Sequence, residues 1–163
     1  MKSLPFESEI DLDPVSLSAR KNIVRIFYKE VWDKQDTALI PSIFCEDFTF
    51  RGSLGPVLVG FEEFSQYVRW LTSTLDGYTS DILDLVEEGD RIVGKLRFHG
   101  VHNRAFFGHE PSNERVWWYG VPIFTFDGEK VQDLWVLGDI YGLVKRLETS
   151  DSDIEFALAT ATQ

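Results

Sequence analysis

The chain has 163 residues, 44% of them apolar and 14% aromatic. That length suits one domain with short extensions, and so apolar a chain can bury a core without disulfides or metals, which excludes disorder along most of it. Sixteen Lys and Arg stand against 27 Asp and Glu, a net charge of −11, which sets nucleic acid and anionic membrane surfaces aside as partners.

The charge is uneven. Residues 1–13 carry a net −3 and residues 148–163 a net −4, which leaves −4 for residues 14–147. The expected organisation is a loose acidic lead-in over 1–13, one α+β domain over 14–147, and a flexible acidic tail over 148–163. The lone cysteine, Cys45, cannot form an internal disulfide and fits a reducing compartment. Near the start, Glu7, Glu9, Asp11 and Asp13 stand where a secretory signal would carry its apolar run. No apolar run approaches the ~20 residues of a membrane span. A cytoplasmic location is expected.

Asp13-Pro14 predicts a helix start, because Asp caps free amides and Pro suits a first turn. Ile23, Ile26, Phe27 and Val31 then recur at helical spacing to about Trp32. A second short helix is expected around Ala38, Leu39 and Ile43, interrupted at Pro41. Residues 48–50 read as a short strand, and Gly52, Gly55, Pro56 and Gly60 mark a loop. Residues 61–75 form an amphipathic helix through Phe61, Phe64, Val68 and Leu71, stopped by Asp76-Gly77.

The period then changes to two. Residues 78–87 alternate through Tyr78, Ile82 and Val86. Residues 91–99 set Ile92, Leu96 and Phe98 against Arg91, Lys95, Arg97 and His99. Residues 100–114 read as a loop. Residues 115–126 and 130–137 form a hairpin about Asp127-Gly128, and a helix over 141–147 closes the domain. Helices followed by hairpin-linked strands predict an α+β fold, a curved antiparallel sheet shaped into a cone with N-terminal helices on its concave face.

The sequence lacks GxSxG, Walker, GxGxxG and CxxC signatures. His99, His102 and His109 cluster, but Lys95 and Arg97 beside His99 would repel a cation, so no metal site is expected. In the aromatic strand, Trp118 shares a face with Val116, Phe124 and Phe126, whereas Trp117 and Tyr119 share the other with Val121 and Ile123. One face is expected to meet the core or a cavity, and the other a second subunit. Asp139 ends the apolar strand Leu134-Trp135-Val136-Leu137-Gly138. Two readings are open for it. A desolvated carboxyl has a raised pKa and suits acid/base work, while an Asp just before a helix is a good N-cap.

Three segments carry a family resemblance: Phe27-Tyr28-Lys29-Glu30-Val31-Trp32, Gly60-Phe61-Glu62-Glu63-Phe64, and residues 86–93. With Gly100-Val101-His102, the loop at Phe107-Gly108-His109-Glu110-Pro111, and Trp135 followed by Asp139, Gly142 and Leu143, the order resembles the SnoaL-like polyketide cyclase family of the nuclear transport factor 2-like superfamily. The resemblance spans about residues 20–147. It implies an α+β cone with a deep apolar pocket, often as a homodimer or homotetramer. It also implies intramolecular aldol chemistry on a small, apolar, carbonyl-containing molecule, with no metal or organic cofactor.

On that resemblance Asp139 is the general acid/base. His102 either hydrogen-bonds the ligand or an oxyanion, or orders its own loop. Trp118, Trp135, Phe50, Trp32 and Tyr28 line the pocket. The chain departs from ring-closing relatives in having no histidine after His109. The superfamily also holds hydrolases, isomerases and non-catalytic ligand binders, so a binding or interaction domain stands as the alternative function, and a hydrolase or isomerase as another.

Overall fold

The first helix begins at Ser18 rather than at Asp13. In the computed structural model, which describes residues 8–148, the Ser18 hydroxyl accepts from Lys21 N at 3.1 Å and caps α1, Ala19–Ile26. Asp13 instead closes its own turn, accepting from Val15 N at 3.0 Å. Residues 1–7 of the expected acidic lead-in (1–13) and residues 149–163 of the expected tail (148–163) fall outside the described residues.

Helix α1 runs directly into a π-helical segment, Phe27–Asp33. A wider π turn changes which residues share a face. Here Phe27, Tyr28, Val31 and Trp32 all turn into the core. A 3₁₀ turn, Thr37–Leu39, leads to α2, Ile40–Ile43, whose Pro41 sits in the first turn, where the missing N–H costs nothing. Strand β1, Phe44–Arg51, is longer than its aromatic residues alone suggested, and the following loop holds a short strand β2, Val57–Val59. Helix α3 is Gly60–Thr74. Strands β3 (Leu75–Glu88), β4 (Arg91–His102), β5 (Arg115–Asp127) and β6 (Lys130–Gly138) follow, and α4, Ile140–Leu147, ends the described chain.

The six strands form one curved sheet in the order β2-β1-β6-β5-β4-β3. The expectation of a fully antiparallel sheet needs one correction, because β1 and β6 run parallel. The chain reaches β1 from the helical layer and meets β6 only at its far end, so this pair has no hairpin to set its direction. Register shifts in the β3–β4 and β5–β6 pairings, with the extra residues in β3 and β6, bend the sheet. On the concave face Phe27 lies near the centre of the core. Its ring centroid is 4.8–6.4 Å from those of Tyr28, Trp32, Phe44, Phe64 and Phe124.

Strand β3 is an edge, and its outward backbone groups are covered. Asp33 Oδ1 accepts from Ser80 N at 2.8 Å, and Lys29 Nζ donates to Ser80 O at 2.5 Å. Ile10 N donates to Ile82 O at 3.0 Å, and Glu9 Oε1 accepts from Ile82 N at 3.2 Å. Residues 8–13 are therefore not a loose lead-in throughout: Glu9 and Ile10 bind the edge.

The outer face carries a row across all six strands: Val57, Arg51, Trp135, Ile123, Val93 and Val86 are successive register partners. Val57, Val86, Trp135 and Val93 are 63%, 59%, 39% and 38% exposed, an apolar band on open surface. Among the described residues no helix is long and apolar enough to cross a membrane.

Candidate functional site

Between the π-helical segment, α3 and the concave sheet lies a partly open cavity with about 320 Å³ of empty space. That figure includes space open to solvent; the room in which a water-sized body fits is about 20 Å³, enough for one or two waters, so a larger ligand has to push the lining rings apart. The π segment contributes Phe27, Tyr28 and Trp32, and α3 contributes Tyr67 and Leu71. The sheet contributes Phe50, Tyr78, Phe98, Trp118, Leu134 and Val136. Gly52 and Ser53 come from the loop after β1. Gly120 keeps the wall in place, because the Phe98 ring lies against the position a Cβ would take there.

No lining residue is charged. The polar side-chain groups are hydroxyls and two indoles. The Trp118 Nε1–H donates to Ser53 Oγ at 3.4 Å. Burial pushes the Tyr67 hydroxyl up to about 12, against its contact with the Leu54 backbone, and burial also raises Tyr28 and Tyr78 well above the ordinary phenol range. All three therefore stay protonated and can donate hydrogen bonds. Tyr28 is 2% exposed, and its hydroxyl has no partner.

Four residues proposed from sequence meet here: Tyr28, Trp32, Phe50 and Trp118. The other three do not line the cavity. Trp135 lies on the outer face, because the pleat that turns Leu134 and Val136 inward turns it out. Asp139 is exposed and caps α4, accepting from Gly142 N at 2.9 Å. Of the two readings of Asp139, the cap is the one formed, and the desolvated setting is not. His102 ends β4 rather than sitting in a loop, and it is 1% exposed. Its Nδ1 lies 3.4 Å from Ser112 N and 3.3 Å from Ser112 Oγ, which orders the following loop. Desolvation lowers its pKa, so it is neutral at pH 7. Its Nε2 is buried without a partner.

Sequence reasoning missed Asp33, Ser53, Tyr67, Tyr78 and Ser80. Ser80 carried a readable signal, a polar residue between Tyr78 and Ile82 on the apolar side of an alternating strand. Burial pushes the Asp33 carboxyl up to about 7, against the nearby Lys29 charge and the Ser80 hydrogen bond. Among the described residues, no group of three or more His, Cys, Asp or Glu converges to hold a metal.

The opposite face of the sheet is charged. Arg97 Nε and Nη2 donate to Asp81 Oδ2 at 2.9 and 2.7 Å. His99 Nε2 lies 3.1 Å from the same oxygen, and Arg115 Nη1 donates to His99 Nδ1 at 2.7 Å. Arg97 and His99, on the charged face of β4, are 4% and 8% exposed. Burial pushes the Asp81 carboxyl up, but hydrogen bonds and charge from His99 and Arg97 hold it below the usual range.

The fold has many counterparts. A candidate polyketide cyclase from Acidithiobacillus ferrooxidans matches with TM-score 0.73 at 21% identity, over 82% of this chain and 96% of that one. AclR, a candidate hydroxylase from Streptomyces galilaeus, matches at 0.70 and 19%, over 82% and 87%. An LEH-like epoxide hydrolase from M. tuberculosis matches at 0.64 and 13%, over 86% and 95%. At these identities the likeness shows the nuclear transport factor 2-like fold and not a shared reaction. A comparison with curated proteins finds no match. The family model for SnoaL-like polyketide cyclases matches residues 22–147, most of the chain, and the protein belongs to that family.

Proposed function

We propose that this chain binds a small, largely apolar carbonyl compound in the aromatic cavity, with the Tyr28 hydroxyl donating to the carbonyl oxygen. The Tyr28 hydroxyl carries the reading. The residue lines the cavity, and its hydroxyl is buried and unpartnered. Such a group costs ~1–3 kcal/mol, which an acceptor on a ligand recovers. The aromatic walls supply apolar contact, and the uncharged lining favours a neutral ligand. Family membership supports acid/base chemistry of the aldol type on such a compound, but the position of Asp139 favours binding over a reaction centred on that carboxyl.

Native mass spectrometry of freshly purified protein should show a co-purified carbonyl compound. Acetophenone should quench the fluorescence of Trp32 and Trp118 saturably. No bound compound together with no saturable quenching would end the reading.

The exposed outer-face band supports a second proposal, that copies of the chain pair through this face to a dimer or tetramer. Sedimentation at micromolar concentration should then give a multiple of the chain mass, and a monomer would contradict it.

A further inference from the structure

With room for only one or two waters, the closed cavity admits a carbonyl compound only if part of its wall moves. Most of the wall is held on both sides. The strands that carry Phe50, Phe98, Trp118 and Leu134 each lie between two hydrogen-bonded neighbours. The edge strand of Tyr78 is tied to the π-helical segment through Asp33 and Lys29. Phe64, Val68 and Leu71 bury one side of α3 in the core. Residues 52–56 differ. They turn the chain between β1 and β2 without a strand partner, and Ser53, Leu54 and Gly55 are only half-buried.

This loop reaches from the sheet to α3. At the sheet end, the Trp118 Nε1–H donates to Ser53 Oγ at 3.4 Å, a long hydrogen bond. Ser53 also packs so closely on the end of β6 that a Cβ on Gly138 would stand 2.1 Å from the Ser53 Cβ. At the helix end, the Leu54 backbone meets the Tyr67 hydroxyl, and a Cβ on Gly55 would lie 3.4 Å from the Tyr67 ring. Two of the lining rings, Trp118 and Tyr67, therefore rest against the loop.

We propose that residues 52–56 are the door of the cavity and that Ser53 is its latch, closed on the Trp118 indole and on Gly138. The proposal rests on the carbonyl-binding reading above. When the loop lifts, the Ser53 hydroxyl and the Trp118 N–H pass to water, and Trp118 and Tyr67 gain the room to part around a ligand. Gly138 makes the closed position possible, because any side chain there drives Ser53 outward. Ser53 is a positioning residue in this scheme: it sets access to the cavity and reacts with nothing.

Two readouts on the full chain test the door, and the first needs no ligand. The Trp118 indole N–H, assigned in the NMR spectrum by its loss in Trp118→Phe, should exchange with deuterium oxide at least tenfold faster than the slowest backbone amides of β5. A local opening exposes it before the sheet unfolds. Ser53→Ala and Gly138→Ala should each raise that ratio a further three-fold or more. In stopped-flow fluorescence, both variants should bind acetophenone at least three-fold faster than wild type. A role for Ser53 in stability alone would leave that rate unchanged. Indole exchange no faster than the slowest β5 amides, or equal association rates in wild type and both variants, would overturn the door and leave the binding reading standing. Absence of acetophenone binding in all three proteins would overturn both.

Discussion

The two faces of the sheet solve the same problem in opposite ways. On the outer face, Asp81 is half-buried but held by Arg97 and His99, with Arg115 behind His99. Its carboxyl is stable as a charge. On the concave side, Tyr28 is buried without a partner, and Asp33 is desolvated beyond what Lys29 offsets. The outer cluster is complete and fits a structural role. The inner groups are incomplete, and an incomplete polar group beside a cavity is where a ligand gains most.

The largest effect should come from breaking the complete side. Arg97→Ala strips the Asp81 carboxyl of its bidentate partner and should cost ~3–5 kcal/mol in urea unfolding. A loss under ~1 kcal/mol would show that the outer cluster is not the stabilising element it resembles.

The two carboxyls should also give opposite pH dependences. Asp33 has a folded pKa of about 7 against the ordinary 3.8 of an aspartate. The folded state therefore binds the extra proton, and stability from this group declines as pH rises from about 4 to about 7, by a few kcal/mol at most. Asp81 is shifted down. Its contribution is present above its unfolded pKa and is lost as pH falls through the folded value. Thermal melts should show wild type more stable at pH 5 than at pH 8, with loss at strong acidity. Asp33→Asn should flatten the first slope and keep the second.

The smallest effect should come from Asp139. Asp139→Ala removes the cap of α4 and should cost ~1 kcal/mol, with acetophenone affinity unchanged. A marked loss of affinity would return Asp139 to the site.

The long elements were legible because their periods are long and clean. Helix α3 and the β5–β6 hairpin lie within a residue or two of where alternation and turn chemistry set them. The parallel β1–β6 pair was not legible, because strand direction without a hairpin is decided by the whole sheet. The cavity was half legible. Tyr28, Trp32, Phe50 and Trp118, offered on the family resemblance, line it, whereas Trp135 fell on the outer side of the pleat. Asp33 was hidden because its burial follows from packing against β3, where it accepts from Ser80 N, 47 residues away in the chain. Asp139 misled because the same position serves a catalytic carboxyl and a helix cap equally well.

The most direct test of the account is Tyr28→Phe, measured twice. Removing an unpartnered buried hydroxyl should leave the unliganded melting temperature unchanged or slightly higher. The same substitution should weaken acetophenone binding about tenfold by fluorescence titration, the loss of roughly one hydrogen bond. Unchanged affinity would contradict the claim that Tyr28 receives the carbonyl.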